Sequence, residues 1–231
     1  MIPCAILCGG LGTRLGDLTR DTPKCLVEVA GVPFLFWQLD LLRSKGITHI
    51  VLCLGHQGDM IEKALTLSFD SRGIDIKFSY DGEDLLGTGG AILKALPMLG
   101  DRFFVTYGDG LLDCDYAAVV QHHEKEGRLG TMVVFREQGN VLFRNGLVKA
   151  YSKTIQDKAL QHTDWGLSVF EAKAFGLYKQ GSKFDLGSVF QNLARQRLLA
   201  GYEVPNRYYE VGSLLGICRT IEFLQSRDRQ P

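Results

Sequence analysis

The stretch that most constrains this chain is Leu7-Cys8-Gly9-Gly10-Leu11-Gly12-Thr13-Arg14-Leu15, followed by Thr22-Pro23-Lys24. It starts at the end of an apolar run, Ile2 to Leu7, that reads as a first β-strand. The three glycines Gly9, Gly10 and Gly12 then leave backbone N–H groups uncovered by side chains, so the loop can wrap closely around phosphate oxygens. Arg14 and Lys24 add two cations within reach of the same loop. A glycine-rich turn with an arginine and a lysine is equipment for holding a nucleoside triphosphate.

Two better-known glycine motifs are excluded. A Walker A loop needs Gly, four residues, then Gly-Lys-Ser/Thr, and no such string occurs. A dinucleotide fingerprint needs Gly-x-Gly-x-x-Gly, but Gly10, Gly12 and Gly16 are spaced one residue too far. It also wants an acid after the second strand, where Leu52-Cys53-Leu54-Gly55 stands.

The pattern along the chain points to an α/β protein. Helical spacing runs from Pro33 to Lys45, Asp59 to Leu67 and Gly87 to Leu96, where Pro97 is expected to end the helix. Strands are expected at Ile47–Leu52, Ile74–Phe78 and Arg102–Tyr107, and their alternation with helices implies a parallel sheet covered on both faces. A helix is expected near Tyr116. The second half turns to short strands at Gly130–Arg136, Asn140–Phe143, Leu147–Tyr151 and Leu167–Phe170. Helices then follow from about Glu171, from Asp185 to Leu199 and from Ser213 to Ser226.

Length and composition agree. A chain of 231 residues, 45% hydrophobic and 23% charged, suits one soluble α/β domain. Its formal net charge of zero argues against a nucleic-acid binder. Six cysteines without a Cys-x-x-Cys pair read as buried reduced thiols in place of disulfides or zinc ligands. The N-terminal run lacks a charged leader, and no apolar run is long enough to span a membrane, so a reducing cytoplasm is the expected compartment.

The loop resembles the nucleotide loop of the sugar-1-phosphate nucleotidyltransferases, or NDP-sugar pyrophosphorylases. That family has a strand, then Gly-Gly-x-Gly-x-Arg-Leu, then Pro-Lys, and all of these stand here in order, with Cys8 where Ala is commoner. Within it, the short length and the string Leu86-Gly87-Thr88-Gly89-Gly90-Ala91 look most like the D-glycero-D-manno-heptose 1-phosphate guanylyltransferases, with N-acetylmuramate 1-phosphate uridylyltransferases next. The resemblance implies a Rossmann-like three-layer αβα sandwich with a mixed, mostly parallel central sheet, the nucleotide-diphospho-sugar transferase fold. It also implies a single domain over 1–231, with a nucleotide-binding half (1–112) and a half that binds the sugar phosphate and ends in a helix (113–231).

The resemblance carries roles onto particular residues. Leu7, Gly9, Gly10, Gly12, Thr13 and Arg14 would hold the triphosphate, with Gly87 and Thr88 beside the base. Arg14, Lys24 and Asp109 would be the catalytic set. Asp109 lies where the chain leaves the strand at Gly108-Asp109-Gly110, the family's place for a magnesium ligand, and Mg2+ takes carboxylate and phosphate oxygens. The second metal carboxylate would be Glu210, in Tyr209-Glu210-Val211-Gly212-Ser213, where the family has Asp-[Ile/Val]-Gly-Thr. Asp81 falls on the segment that reads the base edge. An ionised acid only accepts hydrogen bonds, and guanine offers two adjacent donors, so Asp81 favours GTP, with Glu83 as the competing candidate. Lys153 would meet the sugar phosphate, and Asp164, Trp165 and Gly166 the sugar, with Trp165 able to stack on a ring.

The partners implied are an NTP and a sugar 1-phosphate, with neither nucleic acid nor membrane, and with a homodimer left open. Three alternatives stand beside guanylyl transfer: uridylyl, cytidylyl or thymidylyl transfer to another phosphorylated acceptor; a catalytically silent regulatory subunit; and a metal-dependent glycosyltransferase built on Asp113-Cys114-Asp115. In that last string Asp115 reads better as a helix N-cap.

Overall fold

The computed structural model describes residues 1–10, 22–154 and 157–227. At its centre is β1 (Cys4–Leu7), fully buried as its continuous apolar run requires. A two-stranded ribbon, β2 (Glu28–Val29) and β3 (Val32–Pro33), follows. Strand β1 lies between β4 (His49–Leu54) and β6 (Arg102–Tyr107) and is parallel to both, and β5 (Asp75–Tyr80) extends the sheet beyond β4. A second ribbon pairs β7 (Gly110–Leu111) with β13 (Tyr209–Glu210). The remaining strands are β8 (Gly130–Phe135), β9 (Val141–Arg144), β10 (Leu147–Tyr151), β11 (Thr163–Glu171) and β12 (Leu199–Val204). The nine-stranded sheet runs β5-β4-β1-β6-β11-β8-β12-β10-β9. Only β11 and β10 oppose both of their neighbours, so the sheet is mixed but mostly of one direction.

Helices cover both faces. On one, α1 (Phe34–Ser44), α2 (Gly58–Ser68) and α4 (Tyr116–Glu126) bury Leu35, Leu39, Ile61, Leu65 and Val119. On the other, α3 (Gly87–Leu99) and α5 (Leu186–Arg195) bury Ile92, Ala95, Val189 and Phe190. These are the three expected layers. The last helix, α6 (Leu214–Arg227), lies outside α1, where Leu224 joins a smaller core with Phe34 and Leu41.

Three sequence expectations change. Helix α3 continues through Pro97 to Leu99. Proline removes the N–H that would bond the Leu93 carbonyl, and the side-chain amide of Gln180 donates to that carbonyl at 3.0 Å in its place. No helix follows Glu171. Strand β11 runs on to that residue, and a single 3-10 turn, Ala172–Phe175, stops at Gly176. Finally, α5 ends at Arg195; residues 196–198 turn the chain, and Leu199, the last residue expected in the helix, opens β12. Arg197 has a φ of 59° while Leu198 N–H bonds back to the Leu193 carbonyl at 2.8 Å, which closes the helix without the usual glycine.

At the opposite end of the sheet from the strand carboxyl ends, a polar cluster is buried between α4 and the sheet. The His123 ring is 1% exposed, with Nδ1 2.8 Å from Thr131 Oγ1 and Nε2 3.1 Å from Glu171 Oε1. Arg102 Nε donates to the same carboxylate at 2.6 Å, across the Arg102–Glu171 register pair. Burial holds His123 below its ordinary value near 6.5, so the neutral ring donates from Nε2 and accepts at Nδ1. Glu171 is held below the usual carboxylate range: burial alone would raise it, and Arg102 and His123 outweigh that. Both shifts act in one direction. Below 6.5 the unfolded chain binds a proton at this histidine before the folded one does, and below the usual glutamate range the same holds for Glu171. The unfolding free energy from urea titrations is therefore expected to fall as pH drops from 7 to 5. In His123→Gln the loss between pH 7 and 5 should shrink. An equal loss in that variant would remove His123 as its source.

Candidate active site

The strands β1, β4 and β6 finish at one level, with Leu7 in register with Cys53 on one side and Tyr107 on the other. Beyond them the backbones close in. Cys8 N–H bonds the Cys53 carbonyl at 2.9 Å and Gly108 N–H the Leu7 carbonyl at 3.0 Å. A Cβ on Gly108 would lie 2.7 Å from Cys8 Sγ, and one on Gly55 3.1 Å from the Gly9 Cα, so a side chain at either position would displace its neighbours. What remains above the strand ends is a cavity of about 330 Å3, the size and position expected of a small-molecule site on an open α/β sheet. Its wall includes Leu7, Gly9, Gly10, Asp81, Gly87, Thr88 and Asp109, all anticipated from sequence.

Asp109 leaves the end of β6, and its Oδ2 receives Lys24 Nζ at 2.5 Å. No hydrogen bond is made to its Oδ1 among the described residues. Lys24 opens a 3-10 turn directly after Pro23. The buried Gln38 of α1 holds the turn from behind, its Nε2 donating to the carbonyls of Tyr107 and Gly110, each at 2.8 Å. The β7–β13 ribbon brings Glu210 opposite Gly110, and Val211 N–H bonds the Asp109 carbonyl at 3.0 Å. The Glu210 carboxylate folds onto the start of α6: Oε1 accepts from Ser213 Oγ at 2.6 Å and Oε2 from the Gly212 N–H. Ser213 Oγ in turn accepts from Gly216 N–H at 3.0 Å, so it caps α6. A Cβ on Gly212 would lie 2.5 Å from Glu210 Oε2 and 2.8 Å from Lys24 Nζ, which brings Lys24, Asp109 and Glu210 to one corner.

On the far wall, half-buried Asp81 follows β5 and accepts from Leu86 N–H at 3.0 Å through Oδ2. Burial pushes its carboxyl up, against the opposing pull of that N–H and of Lys94. Its rival Glu83 is exposed and off the cavity wall. The glycine string that opens α3 has a divided role. Gly87 and Thr88 face the cavity, but Gly89 and Gly90 back onto residues 182–185: their N–H groups bond the Phe184 carbonyl at 3.0 and 3.3 Å, and a Cβ on Gly90 would meet the Ser182 carbonyl oxygen at 2.5 Å. Packing between chain segments accounts for those two glycines.

The residues assigned to the sugar separate. Lys153 reaches the cavity edge through Asp185, whose two carboxylate oxygens it meets at 2.7 and 2.8 Å. Asp164 caps its own turn, accepting from Gly166 N–H at 2.9 Å, and burial pushes its carboxyl up to about 6. Gly166 has a φ of +87° and lies beside Tyr107. Trp165 does not stack on a ligand. It is 1% exposed, its ring is in the core, and its Nε1–H donates to the Asn206 carbonyl at 2.8 Å. Strand β11 is bulged between Asp164 and Ser168, with Gly166 at positive φ, and the indole packs in the core with Leu167 and Val169 of the same strand. Gly12, Thr13 and Arg14 lie outside the described residues.

The Asp113-Cys114-Asp115 string forms no shared site. Asp115 caps α4, accepting from Ala118 N–H at 3.0 Å, and Asp113 pairs with Lys45 at 2.6 Å. Among the described residues no group of three His, Cys, Asp or Glu side chains gathers as a metal cluster. Cys8, Cys25 and Cys53 line the cavity floor as buried thiols. Cys8 is raised by the Cys25 thiol and by burial, and Cys53 is pushed up to about 12, first by burial and then by Asp81, so neither is a ready nucleophile. Sequence reasoning missed Gln38 and Asp185. Asp185-Leu186 did carry a signal, an acid directly before a helical pattern. A glutamine inside an apolar helix face carries none.

Gln38→Leu removes both donors to the Tyr107 and Gly110 carbonyls, and each buried carbonyl left unpaired costs about 1–3 kcal/mol. Urea titration should show a loss of about 2–6 kcal/mol for the two together, and an unchanged midpoint would show that the turn at Asp109 is held without it.

Comparison with known proteins agrees with this geometry. The nucleotidyl transferase family profile matches residues 4–162. The mannose-1-phosphate guanylyltransferase catalytic subunit beta of Drosophila pseudoobscura pseudoobscura is 29% identical over 235 residues, 96% of this chain and 63% of that protein. This chain therefore spans less than two thirds of that relative's length. The probable glucose-1-phosphate cytidylyltransferase of Bacillus subtilis (strain 168) is 30% identical over 222 residues, 85% of this chain and 86% of that protein. Among solved structures, HddC from Yersinia pseudotuberculosis complexed with GMP-PN superposes with a TM-score of 0.81 at 22% identity, covering 97% of this chain and 100% of that one. UDP-glucose pyrophosphorylase from Acinetobacter baumanii gives 0.83 at 16% identity, covering 100% and 95%. By the profile match and the Bacillus relative together, the chain belongs to the nucleotidyl transferase family.

Proposed function

We propose that this chain transfers a nucleotidyl group from an NTP, with GTP preferred, to a sugar 1-phosphate, with D-glycero-D-manno-heptose 1-phosphate as the first acceptor to test. The observation that carries this reading is the corner where Lys24 meets Asp109 at the end of β6, on a cavity whose wall also includes Asp185, the partner of Lys153. In the reaction an oxygen of the sugar phosphate attacks the α-phosphorus in line. The new P–O bond forms as the bond to the β-phosphate oxygen breaks, and pyrophosphate leaves with the electron pair. No side chain forms a covalent bond, so catalysis is positioning and charge neutralisation.

In this reading both halves of the chain, 1–112 and 113–231, form one catalytic unit. The bare backbone of Gly9 and Gly10 approaches the phosphates, Lys24 turns from Asp109 to the α-phosphate, and Arg14 holds the departing β- and γ-phosphates. Lys153 takes the acceptor phosphate, and Asp164 and Gly166 border the sugar. Asp81 keeps Oδ1 for the base while Oδ2 holds Leu86 N–H, which leaves an acceptor edge for the two donors of guanine.

The donor set suits Mg2+. Asp109 Oδ1 accepts no hydrogen bond among the described residues, and the Glu210 carboxylate keeps lone pairs beyond those used by Ser213 and Gly212. Asp109 and Glu210 would hold the ion, which when bound neutralises charge on the reacting phosphates. No helix among the described residues is long and apolar enough to cross a membrane, and the buried free thiols suit a reducing compartment such as the cytoplasm.

The test is pyrophosphate release with Mg2+ from GTP, CTP, UTP and dTTP against a panel of sugar 1-phosphates. The largest signal is expected with GTP. No release with any pair would overturn the reading, and a CTP signal would move the base assignment toward the activity named for the Bacillus relative. Asp109→Asn should keep its thermal midpoint and lose at least about a hundredfold in kcat, as removal of a charge-stabilising group does. Asp81→Asn should narrow the preference for GTP over UTP by about tenfold or more, the scale of a lost bidentate base contact. An unchanged preference would dismiss Asp81 as the base reader.

A further inference from the structure

Segment 182–187 packs against the loop that opens α3, and one carboxylate on it lines the cavity with every lone pair in use. Asp185 precedes α5 and caps it, with Oδ1 accepting from Gly187 N–H at 2.7 Å. The same oxygen meets Lys153 Nζ at 2.7 Å, while Oδ2 meets it at 2.8 Å and accepts from Thr88 Oγ1 at 3.1 Å. Thr88 Oγ1 accepts from Leu186 N–H at 2.8 Å, which leaves its only proton for Asp185. The ring Leu186 N–H, Thr88 hydroxyl, Asp185 carboxylate is thus directional. Backbone bonds run alongside it: Phe184 N–H to the Leu86 carbonyl at 3.0 Å, and Gly89 and Gly90 N–H to the Phe184 carbonyl. Thr88 and Asp185 both line the cavity.

A helix cap needs only one oxygen. The second oxygen, the bidentate hold on Lys153 and the threonine proton go beyond capping. Lys153 and Asp185 are each about half exposed, at 46% and 49%, so an ammonium on a long flexible stem would otherwise sample many positions. Although burial alone would push the Asp185 carboxyl up, Lys153 and the Gly187 N–H hold it below the usual range.

We propose that Asp185 is a positioning residue for the acceptor: it fixes Lys153 at the cavity edge and ties that lysine, through Thr88, to the loop that faces the nucleotide. The inference rests on the reading of Lys153 as the contact to the acceptor phosphate. An ammonium already held in place loses less rotamer freedom when it meets a phosphate. The hold is made before and during reaction alike, so its loss should act on binding more than on turnover.

Asparagine caps helices as well as aspartate, so Asp185→Asn keeps the cap and removes the charge. In that variant the thermal midpoint and the KM for the NTP should stay within error of wild type, while the KM for the sugar phosphate rises about tenfold, the scale of a lost charge-assisted hydrogen bond. Thr88→Val should raise the same KM, and Thr88→Ser should restore it. Lys153→Met should raise it alone, and adding Asp185→Asn should then have little further effect. Acylation of Lys153 with acetic anhydride, mapped against exposed Lys149, should be slower in wild type than in Asp185→Asn. An unchanged acceptor KM, parallel rises in both KM values, full additivity with Lys153→Met or equal acylation would each overturn the proposal. If wild type turns over no pair of substrates, the cavity reading fails first, and the acceptor role of Asp185 falls with it.

Discussion

The close approach of β1 to the strands on either side is the constraint from which the site follows. Two hydrogen bonds tie the backbone just beyond the strand ends, Cys8 to Cys53 and Gly108 to Leu7, where a side chain on Gly55 or Gly108 would press on Gly9, Leu85 or Cys8. With side chains absent there, the sheet opens into a cavity beyond the carboxyl ends of the strands. A single β-carbon at either position would push the strands apart or fill the opening. Asp109 depends on the same approach. It is the first residue past Gly108, its carbonyl holds β13 through Val211, and Gln38 pins the carbonyls on both sides of it.

Carboxylates repel phosphates, yet Asp81, Asp109 and Asp185 all face the cavity proposed to bind them. Each is already partnered: Asp109 by Lys24, Asp185 by Lys153, Asp81 by the N–H of Leu86. The lining is therefore a set of paired charges and not a field of one sign. Such a lining holds its cations in place while no anion is bound, and it lets an arriving phosphate take a lysine whose acid can turn to another partner. Asp81 differs from the other two, since its partner is a dipole and burial raises its carboxyl. That fits an acid that meets donors on a flat base better than one that balances a cation.

The fold was legible where local pattern and tertiary context agreed. The buried run Cys4–Leu7, the helices at 34–44 and 58–68, and the strand ending before Gly108 follow directly from apolar spacing and glycine punctuation. The misses share a cause, a partner distant in sequence. Gln180 supplies the hydrogen bond that lets α3 run past Pro97, and Arg197 in a left-handed conformation ends α5 with no glycine to mark the stop. In the site, residues on turns between strand ends and helices were legible because turn chemistry exposes them, and Asp81, Gly87 and Asp109 do line the cavity. Trp165 was misread because an aromatic beside a turn acid looks like a stacking platform, and only the packing around it, across a bulge in β11, shows that its ring lies in the core. Gln38 and Asp185 act across 69 or more residues and 97 residues respectively, on Tyr107 and Thr88, and no short window contains such pairs.

Glu210 shows how one carboxylate can serve both structure and chemistry. An aspartate at this position would be shorter by one methylene and would keep its oxygens nearer the strand. The glutamate reaches over Gly212 to the Ser213 hydroxyl, and Ser213 is the cap of α6, so the acid is braced by the helix that follows it. Gly212 must stay bare for this, since a Cβ there would press on Glu210 Oε2 and on Lys24 Nζ together. The longer acid, the glycine and the serine thus form one unit, in which the extra length of the first is taken up by the hydroxyl of the third. Lys24 lies against the same unit, so any movement of α6 at its first turn is felt at the lysine that pairs with Asp109.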